Sequence, residues 1–202
     1  MDGHSQRLGE LVSLKKNCDE IEDYIINNLS DNLYCLSGFS MGATMAVEIA
    51  GRGNVHVKKI HLDAPFLTKM GWLSKPYTYI FCKAIERLGN HKAIPAFLMD
   101  AVMGKDNNSV IEMLYPHISS RTIKSACEFV YSYTIPPKIR DYKGEVLVWR
   151  GSGERYPGKS VALLKRYLPD LTDVEIAHMG HGQYLHEHSE QYADALAAYL
   201  QS

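Results

Sequence analysis

Gly38-Phe39-Ser40-Met41-Gly42 constrains the fold of this chain more than any other stretch. It joins a short apolar run, Leu33-Tyr34-Cys35-Leu36, of strand character to a small-residue helical segment, Ala43-Thr44-Met45-Ala46-Val47-Glu48-Ile49-Ala50. A serine at so sharp a junction takes a strained backbone conformation. The expectation is that the residues two before and two after it must lack side chains, a need that Gly38 and Gly42 meet. Such a turn lifts the Ser40 hydroxyl clear of the sheet and leaves the Met41 amide at the helix N-terminus. A Gly-rich turn that only packs tightly would share the same five residues; the strand before it and the helix after it favour a working serine.

A serine hydroxyl is a poor nucleophile until a base takes its proton, so a histidine and an acid to orient it are required further along. Glu145-Val146-Leu147-Val148-Trp149-Arg150 reads as a buried strand followed by the loop Gly151-Ser152-Gly153-Glu154, which presents Glu154 at the strand's C-terminal end. Val174-Glu175-Ile176-Ala177 reads as a shorter strand, followed by His178-Met179-Gly180-His181-Gly182, where His181 sits between two glycines. Asp63, closing the strand Lys59-Ile60-His61-Leu62-Asp63, competes with Glu154 for the acid position. The plainer readings are a carboxylate capping the turn at Ala64-Pro65 for Asp63 and a solvated loop charge for Glu154.

In its serine turn and in the order Ser40, Glu154, His181 the chain resembles the α/β-hydrolases, from Leu33 to the C-terminus. It looks closest to small hydrolases with an inserted helical cap. The resemblance implies Ser40 as nucleophile, His181 as general base, Glu154 as orienting carboxylate, the Met41 amide as one oxyanion donor, and Asp63 as the alternative acid. It implies an α/β fold with a mostly parallel sheet, a hydrolase core formed by residues 1–71 and 139–202, and a helical cap over 72–138.

The family's sheet has about eight strands, and its second oxyanion donor lies on a loop ahead of the nucleophile. Four strands are recognisable here, at Leu33, Lys59, Glu145 and Val174, which correspond to the C-terminal half of that sheet. The residues before Leu33 are mostly taken by one helix, capped by Ser13, with Leu14, Cys18, Ile21, Ile25 and Leu29 as its apolar stripe. Met1-Asp2-Gly3-His4-Ser5 resembles the loop just past the family's fourth strand. The N-terminal strands and the second amide are therefore expected to be missing from this chain, and the edge of the Leu33 strand is expected to be bare, inviting self-association. Losing one oxyanion donor typically costs about 10²–10³ in rate.

Between the Asp63 and Glu145 strands the chain reads as helices: Pro76 to Ile85, Ile94 to Met103, Ser109 to Leu114 and Thr122 to Tyr133, with Pro136-Pro137 marking the return. Their aromatic and methionine side chains suit an apolar acyl or alkyl group, or else form the cap's own core. With 46% hydrophobic residues among 202 there is material for a core, and a net charge of −1 implies neither a nucleic-acid nor an anionic-membrane partner. Cys18, Cys35, Cys82 and Cys127 lack metal or redox spacing and read as reduced thiols. With no N-terminal signal pattern and no apolar run of membrane length, a cytoplasmic protein acting on a small-molecule substrate is expected. His178, His181, His186 and His188 crowd together but lack a recognised ligand spacing, so no metal and no cofactor is expected. His186 and His188 lead into a last helix whose packing face is Tyr192, Leu196, Tyr199 and Leu200.

Overall fold

A computed structural model describes residues 9–29, 32–90, 92, 95 and 118–202. The first helix, α1 (Leu14–Asn28), starts where the Ser13 hydroxyl accepts from the Lys16 amide, and it buries Leu14, Cys18 and Ile25. Leu29 departs from the expected stripe: it follows the helix as its C-cap and is 44% exposed. Four strands follow, β1 (Asn32–Phe39), β2 (His56–Asp63), β3 (Glu145–Gly151) and β4 (Thr172–Ile176). Among the described residues they form one sheet in the order β1-β2-β3-β4, every pair parallel. Parallel neighbours require crossovers, and helices α2 (Met41–Arg52) and α5 (Arg155–Leu164) supply those after β1 and β3.

The sheet is covered differently on its two sides. Ile60, Leu62, Val146 and Val148 join Ala43, Ala46, Ile49, Val161 and Leu164 in the main core. On the other side Leu147 and Trp149 pack with Tyr192 of the final helix α7 (Ser189–Gln201), which follows the short α6 (Gln183–Glu187). Of the expected packing face of α7, Tyr192, Leu196 and Tyr199 take part in that cluster, while Leu200 offers its carbonyl to the Tyr34 hydroxyl at 2.5 Å. Lys59, fully buried on β2, fixes the end of α7 by donating to the Tyr199 carbonyl at 2.7 Å and the Ser202 hydroxyl at 2.9 Å. A buried ammonium survives only with such partners, to which Glu145 at 3.3 Å adds a carboxylate.

Between β2 and β3 lie α3 (Ser74–Gly89) and α4 (Ser120–Ser132), longer at their N-termini than the sequence suggests. The segments Ile94 to Met103, apart from Pro95, and Ser109 to Leu114 lie outside the described residues, as does the Met1-to-Ser5 loop. Ile85 of α3 meets Ile118, Ile123 and Cys127 in a small separate core, whereas Val130, Tyr133 and Ile135 join the main one. The segment 72–138 is thus anchored to the sheet through the C-terminal turn of α4. At its other end, the Thr122 hydroxyl accepts from the Leu11 amide at 3.1 Å and donates to Glu10 at 2.9 Å. All four cysteines are free thiols. Among the described residues no helix is long and apolar enough to cross a membrane.

Candidate active site

Ser40 sits between the last residue of β1 and the first of α2 with φ 53° and ψ −113°. A side chain at positive φ is strained, and here the surroundings hold it: the Ser40 amide donates to the Asp63 carbonyl at 2.7 Å, continuing the β1–β2 ladder one step beyond Phe39 and Asp63. The two glycines of the turn have different roles. A Cβ on Gly38 would lie 2.6 Å from the Ala43 nitrogen and nearer still to the Gly42 carbonyl, so the strand approaches the helix main chain directly. A Cβ on Gly42 would meet nothing within 4 Å. The expectation that both glycines are needed to avoid a clash therefore holds for Gly38 and fails for Gly42, whose position is open. Met41 opens α2, so its amide lies in the first turn, where no intrahelical acceptor exists.

His181 and Glu154 reach Ser40 on two loops at the C-terminal end of the sheet. The His181 Nε2 is 2.9 Å from the Ser40 Oγ, and its Nδ1 is 2.6 Å from the Glu154 Oε1. The second oxygen of Glu154 accepts from the Gly151 amide at 2.6 Å, which fixes the carboxylate at the head of α5. The Glu154 side chain is 6% exposed and that of His181 23%. Burial of a carboxylate at this level demands partners on both oxygens, and it has them. Phe39, beside the serine, lies 4.9 Å from the His181 ring between centroids.

The two loops are tied to one another by two main-chain hydrogen bonds and one to a side-chain hydroxyl. The Gly153 amide donates to the Met179 carbonyl at 3.1 Å, the Ser152 amide to the Ile176 carbonyl at 2.9 Å, and the His178 amide to the Ser152 hydroxyl at 2.8 Å. Gly151 permits this, since a Cβ there would stand 2.7 Å from the Met179 carbonyl carbon and closer to its oxygen. Gly182 permits the approach of His181: its φ is 72°, and a Cβ would meet the Phe39 ring at 3.0 Å.

Asp63 is buried nearby, 7% exposed. Burial, and secondarily the negative charge of Glu154, push its carboxyl up to about 6, against the pull of Tyr192 and His181. Its carbonyl reaches Ser40. His61, two residues earlier on β2, lies 2.9 Å through Nδ1 from the Ser37 hydroxyl and stacks edge-on to Trp149 at 4.5 Å. Burial pulls its basicity down to about 4.

Beyond the three residues an aromatic series runs from α4 to α3. Phe66 lies 5.4 Å from Tyr131 and 5.0 Å from Tyr156, and Tyr156 lies 6.5 Å from Tyr77. The Thr44 hydroxyl, in the first turn of α2, donates to the Phe66 carbonyl at 2.9 Å, which brings this series beside the serine turn. No group of three or more histidine, cysteine, aspartate or glutamate side chains is arranged to hold a metal ion among the described residues.

A strained serine on a strand-to-helix turn, a histidine bonded to it and a carboxylate bonded to that histidine all lie at the C-terminal ends of parallel strands. The fold is that of the α/β hydrolases. A structure of a protein from Desulfitobacterium hafniense assigned to that family superposes with a TM-score of 0.83 at 23% identity, covering 99% of this chain and 82% of that one. An esterase from Exiguobacterium antarcticum matches with a TM-score of 0.71 at 16% identity over 100% and 79% of the two chains. The enol-lactonase from Burkholderia xenovorans matches with a TM-score of 0.73 at 14% identity over 100% and 78%. No protein-family model and no curated protein sequence matches the chain.

Proposed function

We propose that the protein is a serine hydrolase that acts through an acyl-enzyme on a small, largely apolar ester or related acyl substrate. The observation that carries this reading is the continuous hydrogen-bonded series Ser40, His181, Glu154, in which each link lies within 2.9 Å. In the proposed reaction the Ser40 Oγ attacks the substrate carbonyl carbon while its proton passes to the His181 Nε2. Glu154 holds the proton on Nδ1, so that Nε2 is free to accept, and its charge stabilises the imidazolium that forms. The oxyanion develops towards the Met41 amide at the N-terminus of α2. Collapse breaks the bond to the leaving group, which takes its proton from His181. Water, deprotonated by His181 in turn, then releases the acid and restores Ser40.

The chemical class rests on these residues, and the word ester on the solved structures of similar fold, one of them an esterase. The proposal divides the chain into a core of residues 1–71 and 139–202 and a cap of 72–138, and it locates the enzyme in the cytoplasm. The Phe66, Tyr131, Tyr156 and Tyr77 series suits an apolar substrate group. A fluorophosphonate probe tests the reading: stoichiometric modification of Ser40, measured by intact mass and lost in Ser40→Ala, is the expected result. Folded protein that stays unmodified refutes it.

One observation favours a second, non-catalytic reading. Among the described residues β1 has a strand partner on one side alone, and Tyr34 on that strand is 49% exposed. A bare edge of this kind pairs with another strand, so the chain would then work by self-association or partner binding. A concentration-dependent dimer in light scattering, together with an unreactive Ser40, supports that alternative.

A further inference from the structure

The His181 imidazole is held by two bonds, with Glu154 rather than Asp63 on Nδ1 at 2.6 Å and Ser40 on Nε2 at 2.9 Å. The main chain on either side of it is held as well. The Gly180 amide donates to the Gln183 Oε1 at 2.8 Å, the Gln183 amide to the Gly180 carbonyl at 3.3 Å, and the Gly153 amide to the Met179 carbonyl at 3.1 Å. With the loop fixed, the torsions of the side chain are what remains to be set. Two hydrogen bonds at the two nitrogens fix the line from Nδ1 to Nε2, and the ring can still roll about that line. The bonding directions of the two nitrogens diverge from it, because one ring carbon separates them, so roll swings Nε2 out of line with the Ser40 Oγ and weakens the bond along which the proton must pass.

Phe39 stands against the ring where roll would carry it. The two centroids are 4.9 Å apart and the planes are inclined by 34°. Rings so nearly parallel reach that separation by overlapping face to face with an offset, a favourable arrangement for an aromatic pair. Phe39 is itself confined. It is the last residue of β1, opposite Asp63 in the parallel ladder, and Gly182 lies at the tip of its ring, where a Cβ would stand 3.0 Å from Cζ and 3.5 Å from Cε2.

We propose that Phe39 is a positioning residue for His181: its ring, confined between β1 and Gly182, stops the imidazole from rolling out of line with Ser40 and Glu154. The inference rests on the acyl-transfer reading for its purpose, whereas the ring contact stands whatever Ser40 does. Phe39 has no group that gives or takes a proton, so its loss acts through the geometry of His181. Gly182 matters for the same reason, since a side chain there would displace the ring on which the imidazole rests.

The experiment compares the wild type, Phe39→Leu, Gly182→Ala and the double variant. Fluorophosphonate inactivation is resolved into a binding constant and a limiting rate at saturating probe, and NMR relaxation at one fixed pH gives the order parameter of the His181 imidazole C–H bonds, assigned by their loss in His181→Gln. Leucine keeps apolar bulk and lacks both the flat face and Cζ. In Phe39→Leu the limiting rate falls by about 10–10²-fold with the binding constant unchanged, and the imidazole order parameter falls with it. Gly182→Ala lowers the limiting rate in the wild-type background and changes it little in Phe39→Leu, where the atom met by the new Cβ is gone; the strain of alanine at φ 72° alone would lower it equally in both. An imidazole as ordered in folded Phe39→Leu as in the wild type overturns the inference, and so do additive effects of the two substitutions. Should Phe39→Leu not fold, an unmoved order parameter in Gly182→Ala overturns it instead. If Ser40 of the wild type stays unmodified the acyl-transfer reading fails, while the relaxation measurement still decides whether Phe39 holds the ring.

Discussion

Gly38 and Gly42 stand symmetrically about Ser40 in the sequence, and the structure predicts that replacing them by alanine has opposite consequences. In Gly38→Ala the new Cβ lies 2.6 Å from the Ala43 nitrogen and closer to the Gly42 carbonyl. Ordinary van der Waals contact needs roughly 3.5 Å or more, so β1 and the first turn of α2 must separate by about 1 Å. Every atom struck belongs to the main chain, so no rotamer change relieves the strain. A cost of about 1–3 kcal/mol in stability follows, at the level of an overpacked core. Ser40 moves with the turn, and a displacement of about 1 Å at a reacting group costs about 10² in rate. In Gly42→Ala the Cβ enters open space within a helix, where alanine is favoured over glycine by about 0.5–1 kcal/mol. Urea denaturation gives the stabilities, and the second-order rate of fluorophosphonate labelling gives the effect on Ser40. The reasoning is refuted if the Gly42 variant is destabilised as much as the Gly38 variant, or if the Gly38 variant labels at the wild-type rate.

Three further outcomes are expected. Glu154→Gln removes the charge bonded to His181 and lowers the labelling rate by about 10²–10⁴ with stability changed less than activity, as labelling kinetics and denaturation run side by side will show. Asp63 and His61 make opposite contributions to the pH dependence of stability. The Asp63 proton is held more tightly in the folded state between about pH 3.8 and 6, so acidification through that window stabilises by up to about 3 kcal/mol; His61 resists protonation between about 4 and 6.5, so acidification there destabilises by a similar amount. Wild-type stability is therefore nearly flat in pH with respect to this pair, Asp63→Asn falls on acidification and His61→Gln rises, and parallel curves for both variants in urea titrations at pH 4.5 and 7 would contradict the assignment. Finally, burial pushes the thiols of Cys18 and Cys127 up to about 12, so both resist an aromatic disulfide reagent in native protein at pH 8 and react once urea unfolds it.

Much of the site was legible because its requirements are local. A serine on a strand-to-helix turn, a carboxylate three residues past a strand's last glycine and a histidine between glycines each show in a few consecutive residues. What the sequence hid depends on contacts across the chain. The open position of Gly42 and the closed one of Gly38 differ only in where each Cα faces once β1 and α2 have packed. Tyr192 reads as one more apolar position of an amphipathic helix, and its edge-on contact with the Trp149 ring at 4.8 Å arises from the placement of α7 against the sheet. Gly151 likewise reads as the first residue of a loop, whereas β3 runs through it. Its near-contact with the Met179 carbonyl depends on β3 and β4 being neighbours in register, Gly151 opposite Ile176.

That register explains how a site assembled from separate loops stays in one geometry. Glu154 and His181 are 27 residues apart, but their loops leave adjacent strands and are joined by two main-chain hydrogen bonds and a third from the His178 amide to the Ser152 hydroxyl, so the two side chains move as one body. Ser40 belongs to a second body, pinned to β2 through the Asp63 carbonyl and to α2 through its own helix turn. The two bodies meet at Phe39 against His181 and Gly182, where the ring contact at 4.9 Å fixes the imidazole relative to the serine. A side chain at Gly182 would push on the Phe39 ring and so act on the junction between the bodies rather than on either one. Precision at Ser40 and His181 thus depends on the β2–β3 ladder that joins the two frames and on the Phe39 contact that seats the imidazole against the serine turn.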